Sequence, residues 1–487
     1  MSPRIIALVI GLGQALSALA DGRPSPEKPF PAEVVRADFA ELYDRLRESH
    51  FDLYARRPKS EYDALYAEMQ RGFDRALELP AVQQAFQRFV AFGRVAHARI
   101  DEAGSAYEAF RAGGGKALAL RIRVVAGKTY VVRNLSGNER IAAGDELIAL
   151  DGQPLAEVLD RLGRHVSADN DYLRDTLFEM RFPALVWQEW GERASFRVTI
   201  GKPDGTRFDT EVLARSRAEA QAFDGQQPAA LELDWSRREA KLLPDGVAYL
   251  RPGPFYDDAP EAANPWDPTS FVRFLDDAFE RFLAAGATRL LIDLRDNPGG
   301  DNSFSDPMVA WFADEPFGFT KEFRIKVSRA TTESNAKRLP QSPPGSITHQ
   351  FDAAYRAHQP GETFVFDLPA AAPRPGKRFT GRVYLLVNRH SYSNTATVAA
   401  LAQDYGFAQI LGEETSDLAT TYGAMESFEL SRTGITVGYP KARILRPSGK
   451  LDDRGVVPDV AIPTPVVETP DDPVLERALA IVRKKPE

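Results

Sequence analysis

The chain contains no cysteine. That absence removes cysteine nucleophiles, thiolate zinc sites, disulfides and a lipid-modified cysteine anchor together. It leaves the redox compartment open, because a chain without thiols suits a reducing or an oxidising one. Histidine is scarce, six in 487 residues, and there is no His-Glu-x-x-His run. No metal signature is visible and no cofactor is implied. The formal net charge of -8 comes with no basic domain or stripe, which argues against a nucleic-acid partner. Internal repeats are absent. Beyond the first twenty residues no apolar run is long enough to span a membrane, so stable membrane insertion is not expected.

What is present is a soluble globular composition, 43% hydrophobic and 27% charged, at a length that allows two or three domains. Met1 to Arg4 make a short positive start, Ile5 to Ala20 are almost continuously apolar, and Ala18-Leu19-Ala20 is a small-x-small cleavage pattern followed by polar residues. Residues 1–20 read as a secretory signal peptide. An uncleaved anchor is the alternative, against which the run falls short of the ~20 residues a spanning helix needs. The expected destination is periplasmic or extracellular.

Residues 24–34 are Pro-rich and read as a linker. Within 21–112 three apolar stripes sit at helical spacing: Phe39, Leu42, Tyr43 and Leu46; Tyr62, Leu65, Tyr66 and Met69; Phe86, Phe89, Val90 and Phe92. They predict a helical amino-terminal domain. Gly113-Gly114-Gly115 ends that pattern. Strand-like runs follow at 117–125 and 129–132, then a turn, an apolar strand, an Asp151-Gly152 turn and a helix from about Leu155. This run, with Gly144-Asp145 before the strand, resembles the PDZ domain, and the module is placed at 113–215. Resemblance to PDZ implies capture of an extended peptide by strand addition.

From 216 to 487 strands alternate with helices, which predicts a mainly parallel sheet. A helix is expected over 269–285, capped by Thr269 or Ser270. Strands are expected at 288–294, 383–387 and 409–412, a helix over 394–403, and a hairpin around Arg432-Thr433-Gly434. Residues 338–378, rich in Pro, Ala and Gly, read as a long loop or lid.

In such sheets sites collect beyond the carboxyl ends of strands. One tip is Asn297-Pro298-Gly299-Gly300-Asp301. Its glycines let backbone N–H groups face a ligand, as an oxyanion hole requires; a plain strand-to-helix turn fits the same residues. The other is His390-Ser391-Tyr392-Ser393-Asn394. A hydroxyl there can sit above the sheet at a helix N-terminus; ordinary N-capping fits it too. It is not the Gly-x-Ser-x-Gly elbow.

Taken in order, these segments resemble one family. "LLIDLRDNPGG" from Leu290, "VNRHSYSNTATVAALAQDYGFAQILG" from Val387, and Gly455-Val456-Val457-Pro458-Asp459 are similar to the strand, nucleophile segment and closing motif of the C-terminal processing, tricorn-core and interphotoreceptor retinoid-binding group of serine peptidases. Asp38 to Tyr54 resembles the amino-terminal domain of its bacterial members. The resemblance implies a multidomain α/β protein: helical domain, PDZ-like module and an α/β core of ClpP/crotonase type. It implies a serine endopeptidase acting on polypeptide through an acyl-enzyme. Aligning Gln403-Asp404-Tyr405-Gly406 puts the nucleophile on Ser393 rather than Ser391. The amides of Gly299, Gly300 and Asn394 are implied as the oxyanion hole.

Members with a Ser–Lys dyad carry the lysine twenty-five residues after the serine, a position that is Leu418 here, and no lysine occurs between Ser393 and Lys441. The non-lysine branch uses a histidine after a helical run, which matches His97 and implies a general base; His50 reads as structural. Asp452 falls on the position of that branch's acid, with Glu413 and Glu414 as further candidates and solvated loop acids as the bland alternative. A serine that can link base to acid is Ala96 here. Relatives that kept the fold as ligand- or peptide-binding proteins, and esterase-type acyl hydrolysis, stand as alternatives.

Overall fold

A computed structural model describes residues 28–484, apart from Ala230, Glu232, Pro260, Glu261, Ala263 and Glu468 and the side chains of Glu102 and Ala103. The expected signal peptide lies outside the described residues. Two compact units emerge, each assembled from three stretches of chain. The first takes residues up to Pro228, Arg324–Val365 and Tyr422–Arg443; the second takes Ala229–Phe323, Phe366–Thr421 and Ile444–Glu487.

The first unit begins with helices Ala32–Ser49, Lys59–Gly72 and Leu79–Ala91, one for each apolar stripe. The first starts inside the stretch expected to be linker, because Pro31 takes the N-cap position and leaves its successors free to coil. Val35, Phe39, Leu42 and Leu46 are fully buried at three- and four-residue spacing. Phe39 and Phe89 meet edge to face with ring centroids 4.8 Å apart.

The same apolar cluster contains Phe428, Leu430, Ile435, Val437 and Tyr439. These come from strands Thr421–Glu429 and Thr436–Leu445 and the turn between them, the expected hairpin, in a sheet completed by Glu322–Lys326 and Thr363–Val365. Buried Asp38 accepts the N–H of Thr433 at 2.7 Å, which ties the hairpin turn to the first helix. Segments 324–365 and 422–443, expected in the core at 216–487, thus belong with the amino-terminal helices. Ala330 of the one segment and Phe428, Leu430, Ile435, Val437 and Tyr439 of the other are part of that cluster.

An antiparallel sheet follows in the same unit, in the order Leu120–Val125, Lys128–Asn134, Glu146–Leu150, Ser195–Gly201, Arg207–Leu213. Asp151 and Gly152 both have positive φ, 51° and 79°, as a two-residue hairpin turn demands. Helix Leu155–Gly163 begins where expected. Helix Asp171–Trp190 was not foreseen; Asn170 caps it by accepting the Leu173 N–H at 2.8 Å, and it continues past Pro183. Residues 338–378 are not a structureless loop either: they hold helix Ile347–Arg356 and strand Thr363–Val365. Ile347, Phe351 and Tyr355 share one face of that helix, a spacing masked by the surrounding Pro, Ala and Gly.

The second unit is built on a six-stranded sheet. Its order is Val460–Ala461, Gln409–Gly412, Arg382–Val387, Arg289–Asp293, Ala248–Arg251, Glu239–Leu242. All neighbours pair in parallel except the last. The inner strands are apolar without alternation because both faces are covered. Leu290 and Ile292 pack on one side with Phe271, Phe279 and Phe282 of helix Thr269–Ala284. Leu291 packs on the other with Val474, Ala478 and Val482 of helix Pro473–Arg483. Pro268 holds the N-cap position of Thr269–Ala284, in place of the expected Thr269 or Ser270; the Asp267 carboxylate accepts the Thr269 N–H at 3.0 Å instead.

Candidate active site

Strands Arg289–Asp293 and Arg382–Val387 are hydrogen-bonded neighbours running in parallel, so the loops leaving their carboxyl ends emerge side by side. The loops are laced together. Tyr392 N–H donates to the Asn297 carbonyl at 3.0 Å. Asn388 Nδ2 donates to Asp296 Oδ1 at 2.7 Å, and Asp296 N–H returns a bond to Asn388 Oδ1 at 3.1 Å.

Ser393 stands at the junction between its loop and helix Asn394–Asp404, with φ 54° and ψ -124°. A non-glycine residue at positive φ is strained, at a cost of about 1–3 kcal/mol. Its side chain makes no capping bond, so the capping alternative does not describe it. Ser391 is the opposite case. It is fully buried, its Oγ donates to the Leu294 carbonyl at 2.8 Å and accepts the Asn388 N–H at 3.0 Å. Ser391 is therefore built into the turn, whereas Ser393 is half-buried.

Gly299 closes on this serine. A Cβ at position 299 would lie 2.6 Å from Tyr392 O, 2.8 Å from Asn394 N and 2.9 Å from Ser393 Cβ. Only glycine, here at φ 91°, allows the two loops to approach this closely. Asn394 N, as the first amide of a helix, has no partner within it. The Gly299 N–H itself is already donated to Asn297 Oδ1 at 2.9 Å. Of the three amides expected in the oxyanion hole, that of Gly299 is therefore already engaged within its own loop. Asn394 is fixed from below by Nδ2 donating to Ser305 Oγ at 2.9 Å.

One residue beside the serine went unforeseen. Asp417 is buried, and its Oδ2 accepts the Ser393 N–H at 2.7 Å while Oδ1 accepts the Leu418 N–H at 3.0 Å. It adjoins the position where the dyad lysine would stand, and that proximity was the one signal available.

By sequence, Peptidase family S41 matches residues 268–462. This stretch is an S41 peptidase domain. No curated protein sequence matches the chain. Among solved structures, mature CPAF complexed with lactacystin is 16% identical with a TM-score of 0.61, over 89% of this chain and 94% of that one. Mature CPAF alone is 16% identical with a TM-score of 0.58, over 89% and 93%. The chain shares their fold over most of its length.

Within the S41 domain the remaining motif residues are structural. Asp293 accepts from Arg295 Nη2 at 2.7 Å, Arg251 Nη1 at 3.2 Å and the Tyr249 hydroxyl at 3.0 Å, and these partners hold its carboxyl down to about 2 against the effect of burial. Asp404 pairs with Arg446 at 2.7 Å. Asp459 accepts the Ile410 N–H at 2.7 Å at the strand edge.

Asp452 is exposed in a loop of the second unit. Glu413 bonds Thr464 Oγ1 at 2.8 Å and Glu414 pairs with Arg454. His97 belongs to the first unit. Its loop is held where Ala96 N–H donates to Asp169 Oδ2 at 3.2 Å and where Arg99 and Gly438 exchange backbone bonds. Burial pushes the imidazole down to about 3, with Arg99 adding to the effect and a hydrogen bond to the Tyr422 backbone opposing it.

Proposed function

We propose that the chain is a serine-type peptidase with Ser393 as nucleophile. The observation that carries this reading is the strained, uncapped and half-buried Ser393 at a helix N-terminus, with the glycine loop packed directly against it. The hydroxyl oxygen attacks a peptide carbonyl, its proton passes to a base, and the oxyanion is met by the Gly300 and Asn394 amides. The base returns the proton to the leaving amine, and water hydrolyses the acyl-enzyme.

The sequence resemblance names His97 as that base and Asp452 as its acid. Burial keeps that imidazole neutral but weakens it as a base, so the reading requires a carboxylate to offset the charge it acquires. The substrate proposed is polypeptide in the cell envelope or outside the cell, reached by signal-directed export. The PDZ-like sequence of residues 113–215 suits peptide capture by strand addition.

Fluorophosphonate labelling of the mature protein tests this. Wild type and Ser391→Ala are expected to label, and Ser393→Ala and His97→Ala are not. Labelling that survives Ser393→Ala places the nucleophile elsewhere. A wild type that never labels points to a binding protein on a peptidase fold.

A further inference from the structure

A cavity of about 340 Å³ lies in the first unit, where the amino-terminal helices meet helices Leu155–Gly163 and Asp171–Trp190. Its lining is strongly one-sided in charge. Arg57, Arg88, Arg94, Arg164 and Arg174 face Asp160 as the sole lining carboxylate. Arg94 is held by Asp171 at 2.7 Å and Arg57 by exposed Glu61 at 3.3 Å. Arg174 comes no nearer than 3.5 Å to any of Asp160, Asp171 and Asp175. Among the described residues neither Arg88 nor Arg164 has a carboxylate within 4.0 Å. The Nε atoms of Arg57 and Arg174 are buried and have no hydrogen-bond partner among those residues. Such donors are costly to leave unmet.

The rest of the lining is apolar. Ala91, Val166 and Ala168 are buried, and Leu65 and Phe92 complete the wall, with Arg57 stacked 5.1 Å from the Phe92 ring centroid. The space is roughly ten times the ~30 Å³ share of one water molecule, more than a bare inorganic anion fills. Guanidinium forks match carboxylate oxygens in pairs, and an apolar wall favours a hydrocarbon body.

We propose that this cavity is a binding site for an organic carboxylate with an apolar body. The site lies wholly within the first unit and does not depend on the peptidase reading. Isothermal titration of the full chain carrying Ser393→Ala, which prevents turnover, tests it with 3-phenylpropanoate, its neutral isostere 3-phenylpropanamide, and sodium phosphate. The acid is expected to bind about tenfold or more tighter than the amide, and to weaken by about tenfold or more in Arg88→Gln/Arg164→Gln. Both arginines are partly or fully exposed, so the double variant keeps the fold. Phe92→Ala is expected to weaken the acid and leave phosphate unchanged. Equal binding of acid and amide, no binding of the acid, or full binding by the double arginine variant overturns the proposal. Phosphate binding more tightly than the acid overturns the assignment to a carboxylate.

Discussion

At Ser393 the backbone is held in a conformation its own side chain disfavours, and Asp417 and Gly299 are what hold it there. Asp417 grips the Ser393 N–H with a carboxylate, a stronger acceptor than a neutral group. Asp417→Ala is expected to lower the fluorophosphonate labelling rate by about 10- to 100-fold, the effect of misplacing a reacting atom by an ångström or less. Asp417→Asn, which keeps an acceptor oxygen, should fall between. A wild-type rate in Asp417→Ala would show that the carboxylate does not position the serine. Gly299→Ala places a methyl group at contacts below 3 Å and at positive φ. It should abolish labelling while costing about 1–3 kcal/mol of stability, read by urea denaturation. Ser393 was singled out in the sequence by the motif around it. Asp417 was not, because its closeness to the serine arises from pairing between strands Arg382–Val387 and Gln409–Gly412, which no local pattern encodes. Nor does composition say that Asn297 already occupies the Gly299 N–H.

The elements that carry the two tips are the best-read part of the chain. Strand Arg289–Asp293 and helix Asn394–Asp404 stand where apolar runs and the serine turn put them. The strand end is anchored by a buried ion network, since Asp293 is shared by Arg251 and Arg295, and Arg295 also meets Asp472 at 2.7 Å. Removing the common acid leaves two buried guanidinium groups short of a partner. Asp293→Ala is therefore expected to cost about 3–5 kcal/mol in equilibrium unfolding, and a loss under about 1 kcal/mol would mean the network is solvated. Helices Ile347–Arg356 and Asp171–Trp190 were illegible for physical reasons. The first lies between Pro-rich segments and buries only Tyr355 fully. The second contains a proline that ordinarily ends a helix.

Over the whole molecule, burial of histidine sets the response to acid. His50 and His97 are both pushed down to about 3 by burial, aided by Lys326 at His50 and Arg99 at His97. Unfolded, each has a pKa near 6.5. Below that pH the unfolded chain binds protons that the folded chain refuses, so stability falls from about pH 6.5 toward pH 3. Asp293 and Glu426, each held to about 2 by cationic neighbours despite burial, add stability above their unfolded values that is lost as pH falls toward 2. Thermal melting should be level near pH 7–8 and fall by the equivalent of several kcal/mol by pH 4. His50→Gln, which keeps an acceptor for the Asp52 N–H, should flatten that fall; an unchanged slope would assign the acid sensitivity elsewhere. The domain order read from the sequence followed the order of residues, whereas packing does not. The chain passes between its units at 228/229, 323/324, 365/366, 421/422 and 443/444. The core around Phe39 is complete only when Tyr439 has joined it. During synthesis, then, the amino-terminal helices emerge long before the hairpin that shields them. A nascent chain therefore exposes part of this aromatic surface until the residues around Tyr439 are made, which delays completion of the core relative to the helices that begin it.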